Sequence, residues 1–216
     1  MDRKEIKKRA KEFAFSNKWN FWKVLLLFSI CTGILFFIFE LLGTTQTCGP
    51  YYNVELCTYT TYGYITSFIY EILSAILGVV FTIYVLELVR TKSVPDLKKC
   101  FNFLKKSWKT LLLATILYIV IVTIGTLLLI IPGIIASIGL TFYIIVIYDN
   151  PELSARDALR KSWDLINGHK MEYFVFGLSF ILWGLLCAFI VPIIWVMPYM
   201  YIANIMFYEK LVELKK

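Results

Sequence analysis

Few residues in this 216-residue chain have the type and spacing to do chemistry. Cys48 and Cys57 flank GPYYNVEL at C-x8-C spacing, in a loop with no basic residue. On an oxidising side of a membrane, a disulfide between them is chemically permitted and would pin the loop. Two separate thiols in a flexible loop are the other state. A metal site is not expected, because no further Cys and no His lies nearby to complete four ligands. Glu71 lies inside the apolar run FIYEILSAILGVV. An intramembrane acid costs several kcal/mol unless it faces protein or water, so it marks a candidate polar site. The plainer reading is a protonated or tyrosine-bonded Glu71 near the outer interface, with Tyr62, Tyr64 and Tyr70 as candidate neighbours. Tyr199, Tyr201 and Asn204 surround Pro198 in another apolar stretch and are the other members of that candidate site. The single His169 sits beside Lys170 with no acid or nucleophile spaced to work with it, so it reads as an interfacial residue. There is no phosphate-cradling glycine loop, HExxH or nucleophile elbow, and catalysis is not expected.

The elements that would position these groups are apolar. The chain is 59% hydrophobic and 17% charged, with a mean hydropathy of +0.72. Thr110–Tyr148 runs without a charge and is interrupted only by Pro132-Gly133. One membrane-spanning helix needs about 20 apolar residues, so this run holds two, with a turn expected at the Pro-Gly hinge. Extending that reading gives an all-α polytopic membrane protein with six transmembrane helices in a single domain. The spans are Phe21–Leu42, Tyr64–Leu88, Thr110–Ile131, Ile134–Tyr148, Phe174–Ile190 and Ile193–Phe207. The last three are short and lean on interfacial aromatics or fall short of a full crossing. They pair into three outward hairpins, 21–88 with its outer loop 43–63, 110–148 and 174–208. Pro192 marks the third turn, and Pro198 is expected to kink the sixth span.

Charge sets the orientation. All 22 Lys and Arg residues lie before or at the start of the first span, between Arg90 and Lys109, between Arg156 and Lys170, or after Tyr208. Basic segments resist translocation, so both termini are expected in the cytoplasm of a plasma-membrane protein. The net charge of +7 then faces anionic headgroups. Nucleic acid is not expected as a partner, since no aromatic-basic module accompanies the charge.

Each hairpin is preceded by a basic amphipathic segment. In 1–18, Ile6, Ala10 and Phe13 fall on one face; in 94–107, Val94, Leu97, Phe101 and Leu104 do; in 151–168, Ala155, Leu159 and Trp163 do. These are expected as cytoplasmic helices lying in the headgroup plane, with Lys7, Lys8, Lys98, Lys99, Lys105, Lys106, Arg156 and Arg160 reaching lipid phosphates. Pro95 and Asp96 suit the start of the second, Asn150 is expected to cap the third, and Gly168 to end it. The N-terminal segment has a long basic lead and no small-x-small cleavage site, so it is expected to stay attached. Glu87, three residues before Arg90, suggests a local ion pair. PGIIASIGLTFYIIVIYD and PIIWVMPYMYIANIMFYE align without a gap, placing Pro132 on Pro192, Tyr148 on Tyr208 and Asp149 on Glu209. The pattern implies three repeated units.

RKEIKKRAKE at 3–12, IPGI at 131–134, DNPE at 149–152, KSWDLINGHK at 161–170, LSFILW at 178–183 and PYMYIANIMFYEKL at 198–211 carry a family likeness. The chain resembles an uncharacterised family of bacterial integral-membrane proteins, mostly Gram-positive, classed as a domain of unknown function. The resemblance implies kinship with the membrane region attached to some glycerophosphodiester phosphodiesterases. It implies no enzyme activity, because no catalytic domain is present. LINGHK departs slightly from the pattern, which would have Met before the Gly and an aromatic after it. Two functions are consistent with these features, with no cofactor in either. One is a non-enzymatic accessory or scaffold protein binding anionic lipid, a membrane partner or a second copy of itself. The other is a small carrier or exporter of a lipid-like or amphipathic molecule, with a role in resistance or immunity.

Overall fold

A computed structural model describes residues 3–16, 18–41, 46–51, 54–59, 61–180 and 190–215. In chain order the elements are α1 (Arg3–Ser16), α2 (Lys18–Leu41), β1 (Gln46–Tyr51), β2 (Val54–Tyr59), α3 (Thr61–Thr91), α4 (Leu97–Leu128), α5 (Ile130–Gly139), α6 (Tyr143–Asp149), α7 (Ala155–Ile166), α8 (Lys170–Leu178) and α9 (Ile190–Leu214). The all-α expectation holds apart from one antiparallel ribbon, in which Cys48 and Cys57 are directly opposite. Among the described residues, Phe68–Thr91, Leu97–Leu128 and Ile130–Asp149 are long and apolar enough to cross a membrane. Most of the fifth expected span lies outside the described residues, as does Cys187.

Residues 19–81 form one compact unit. Within it Phe28 stacks on Phe81 at 4.3 Å between centroids, and Phe36 and Phe39 meet Tyr70 edge-on. Residue numbers rise on α2 as they fall on α3, so the two helices run antiparallel.

The other unit comprises residues 1–18 and 82–216. α4 starts where Asp96 accepts a hydrogen bond from the Lys98 amide at 2.9 Å, satisfying one of the open N–H groups of the first turn. It then continues without a break for 32 residues. The separate headgroup-plane helix expected at 94–107 is therefore the charged end of a spanning-length helix.

The reversal after α4 falls at Leu129, which is extended (φ −162°, ψ 144°), three residues ahead of the expected hinge. Pro132 instead occupies the first turn of α5, where no amide hydrogen bond is lost. Gly133 serves close packing: a Cβ there would lie 2.8 Å from the Thr126 Cα and N. α9 continues through Pro198.

The fourth expected span is broken. α5 stops at Gly139, and α6 begins at Tyr143. The Ser162 hydroxyl donates to the Gly139 carbonyl and accepts from the Phe142 amide, each at 3.2 Å, bridging two backbone groups at the break. A Cβ on Gly139 would sit 2.1 Å from the Trp163 ring. The residue of α9 that aligns with Gly139 in sequence is Tyr199, and α9 carries no such break.

α7 is capped by Ser154, which accepts from the Asp157 amide, in place of the expected Asn150. Asn150 ends α6 instead, its side chain bonding the Val146 carbonyl and Lys161. Gly168 ends the turn after α7 at φ 89°, a conformation glycine adopts without strain. The apolar stripe of α7, with Ala155, Ala158, Leu159 and Ile166 buried, packs on protein. α4, α5, α6 and α9 all contact this helix. Burying the Leu and Ile side chains contributes about 1.5–3 kcal/mol each. α1 does the same against α9, with Ile6 and Ala10 buried. Neither stripe is left for lipid.

Gly133→Ala should lower the thermal unfolding midpoint in detergent, costing about 1–3 kcal/mol through overpacking against backbone. Gly177→Ala, where a Cβ meets nothing within 4 Å, should leave it unchanged or raise it.

Candidate functional site

Three acids stand in the C-terminal parts of α3, α6 and α9: Glu87, Asp149 and Glu209. The second and third are aligned in the sequence, and the structure brings them onto one arginine. Arg90 donates to both carboxylate oxygens of Asp149 at 2.5 and 2.8 Å and, through Nε, to Glu209 at 2.7 Å. The planar guanidinium suits this fork, which an ammonium could not reproduce. Glu87 pairs elsewhere, correcting the local Glu87–Arg90 reading. It accepts from the Tyr148 hydroxyl at 2.6 Å and from Lys99 at 2.9 Å. Tyr208 donates to Asp149 at 2.7 Å. The two tyrosines, aligned in the sequence, thus each bond an acid on an earlier helix. Phe103 covers the Tyr148 ring edge-on at 4.9 Å.

The acids are partly shielded, with Glu87 at 12% and Asp149 at 22% side-chain exposure. Each has a cation or a phenol within hydrogen-bond distance. The arrangement holds helix ends together and neutralises carboxylates that would otherwise lie among the lysines. Among the described residues, no group of three or more His, Cys, Asp or Glu could hold a metal ion.

The expected headgroup contacts divide into three kinds. Lys8, Lys98, Lys105, Lys106, Arg156 and Arg160 are exposed. Lys99 is committed to Glu87. Lys7 turns inward: it donates to the Ser179 hydroxyl, with its ammonium 4.5 Å from the Phe180 ring centroid. Loss of water there, with Arg3 nearby, holds its pKa below the usual lysine range.

The expected intramembrane site is laid out as follows. Glu71 is exposed on α3 within the 19–81 unit. Asn204 accepts from the Tyr173 hydroxyl at 2.9 Å and donates to the Met200 carbonyl. Tyr199 packs edge-on against Phe180 at 5.5 Å, and Tyr201 is 38% exposed. His169 pairs with Glu172 at 3.1 Å. Cys31 and Cys100 carry free thiols, the first exposed and the second buried.

Sequence reasoning missed Arg90 as the joint and Ser162 as the bridge over the helix break. The aligned Tyr-Asp and Tyr-Glu pairs at 148–149 and 208–209 were the available signal for the first.

A helical chain with three long apolar helices fits a membrane-embedded protein. The chain belongs to the family described as Protein of unknown function (DUF975), which matches residues 1–127 and 114–215. It matches no curated protein and no solved structure.

Arg90→Gln should cost about 1–3 kcal/mol, since it leaves Asp149 and Glu209 side by side without their cation, at a partly exposed site. Arg90→Lys should recover only part of the loss. In a double-mutant cycle by thermal unfolding in detergent, Asp149→Asn should cost less in the Arg90→Gln background than in the wild type. Strict additivity would show that the fork contributes nothing.

Proposed function

We propose that this chain is a non-enzymatic, multi-pass protein of the bacterial plasma membrane with both termini in the cytoplasm. It acts as an accessory or scaffold protein whose basic end recognises an anionic lipid surface or a membrane partner. One observation carries the reading. Three acids near the lysine-rich segments are tied up in the Arg90 and Glu87 contacts, while Lys8, Lys98, Lys105, Lys106, Arg156 and Arg160 remain exposed. Basic side chains beside apolar helices attract anionic surfaces at about 1 kcal/mol each. Family membership is consistent with this reading and adds no activity to it.

A second reading, a small carrier for a lipid-like or amphipathic molecule, has one observation in its favour. The break between α5 and α6 lies beside a polar trio, with Thr141 3.4 Å from the Tyr173 hydroxyl and that hydroxyl 2.9 Å from Asn204. Broken helices with polar neighbours form sites in transport folds. Here Ser162 and Trp163 fill the break, which favours the accessory reading.

Native mass spectrometry of protein gently extracted from its own membrane separates the two. Bound anionic lipid or a stoichiometric protein is expected, and neutralising the exposed lysines should release it. A retained small molecule that survives this neutralisation and is lost in Asn204→Leu would favour the carrier.

A further inference from the structure

Of the three amphipathic segments, α4 alone keeps its apolar stripe open. Leu97, Phe101 and Trp108 are 39%, 50% and 52% exposed, whereas the stripes of α1 and α7 are filled by protein. At 100° per residue, Leu97, Phe101, Leu104 and Trp108 fall along one line. Lys98, Lys105 and Lys109 fall along the adjacent line, at i, i+7 and i+11. Cys100, Ser107, Leu111 and Ala114 are buried on the protein-facing side. The stripe continues into exposed Leu112 and Ile119 of the uncharged run. α4 contains no Asp or Glu, while α1 carries Glu5 and Glu12 and α7 carries Asp157 and Asp164.

From this geometry, and resting on the membrane reading above, we infer that Leu97–Lys109 is an anchor in the headgroup layer that takes anionic phospholipid. Lys98, Lys105 and Lys109 hold the phosphates, and Leu97, Phe101 and Trp108 sit at the acyl boundary. Charge complementarity selects the occupant. A protein partner would need its own acidic groove, whereas an anionic leaflet offers phosphates along the whole line and apolar chains beside it. Leu97 lies about 20 Å along the axis from the start of the uncharged run at Thr110, but the headgroup layer is only about 5–8 Å thick. α4 must therefore lean toward its stripe to bring Leu97 down to the lipid.

The test uses the full chain in nanodiscs of phosphatidylcholine mixed with phosphatidylglycerol, reading by native mass spectrometry which lipid is retained. Wild type should favour phosphatidylglycerol by on the order of tenfold. Lys98→Gln/Lys105→Gln/Lys109→Gln should lose that preference, and the corresponding triple Arg variant should keep it. Lys11→Gln/Lys92→Gln/Lys161→Gln, at exposed lysines outside the proposed recognition set, should also keep it. The inference is overturned if the Gln triple on α4 retains the preference or if the control triple loses it. A wild type with no lipid preference but a stoichiometric protein partner overturns the inference and leaves the accessory reading standing. A wild type with neither defeats both.

Discussion

Arg90 is the joint on which the lysine-rich end of this fold depends. The outward faces of α3 and α4 stay apolar, so burial of apolar side chains alone does not specify which helix ends belong together. A guanidinium that donates to two carboxylates does specify it, because its fixed fork rewards only one mutual placement of α3, α6 and α9. The tyrosine contacts from Tyr148 to Glu87 and from Tyr208 to Asp149 repeat the same choice. The acids are thereby neutralised within the protein, and the lysines of α4 other than Lys99 are left exposed. Structure and proposed recognition share one electrostatic cause.

α7 is the second organising element. Its small and apolar face is inserted among four other helices. Ser162 and Trp163 exploit the missing side chain at Gly139, where α5 gives way to α6. Tyr199, which aligns with Gly139 in sequence, leaves no such space, which accounts for two aligned segments differing in continuity.

Several of these features were legible in the sequence, and the reasons differ. The uncharged run after Lys109 shows as helices because no charge interrupts it, and Pro132 falls in the first turn of α5. Asp96 and Gly168 act locally, so neighbouring residues suffice to read them. The Arg90 fork joins residues 59 and 119 positions apart, which no local pattern encodes. Glu87, only three residues from Arg90, suggested a local pair for that reason. Amphipathic periodicity shows that a face is covered but not by what. The stripes of α1 and α7 read as lipid-facing and prove to be protein-facing, while that of α4 stays open. The Pro-Gly pair looked like a turn because glycine has two uses, and here Gly133 serves close approach.

The most direct test of the account is which side of the membrane the lysine-rich end faces. Single-cysteine reporters at Lys105→Cys and Leu129→Cys, in a background with the native cysteines replaced, would be treated with a membrane-impermeant maleimide on intact cells. The account predicts labelling at 129 from outside and labelling at 105 only after the cells are opened. Labelling of 105 on intact cells would contradict it.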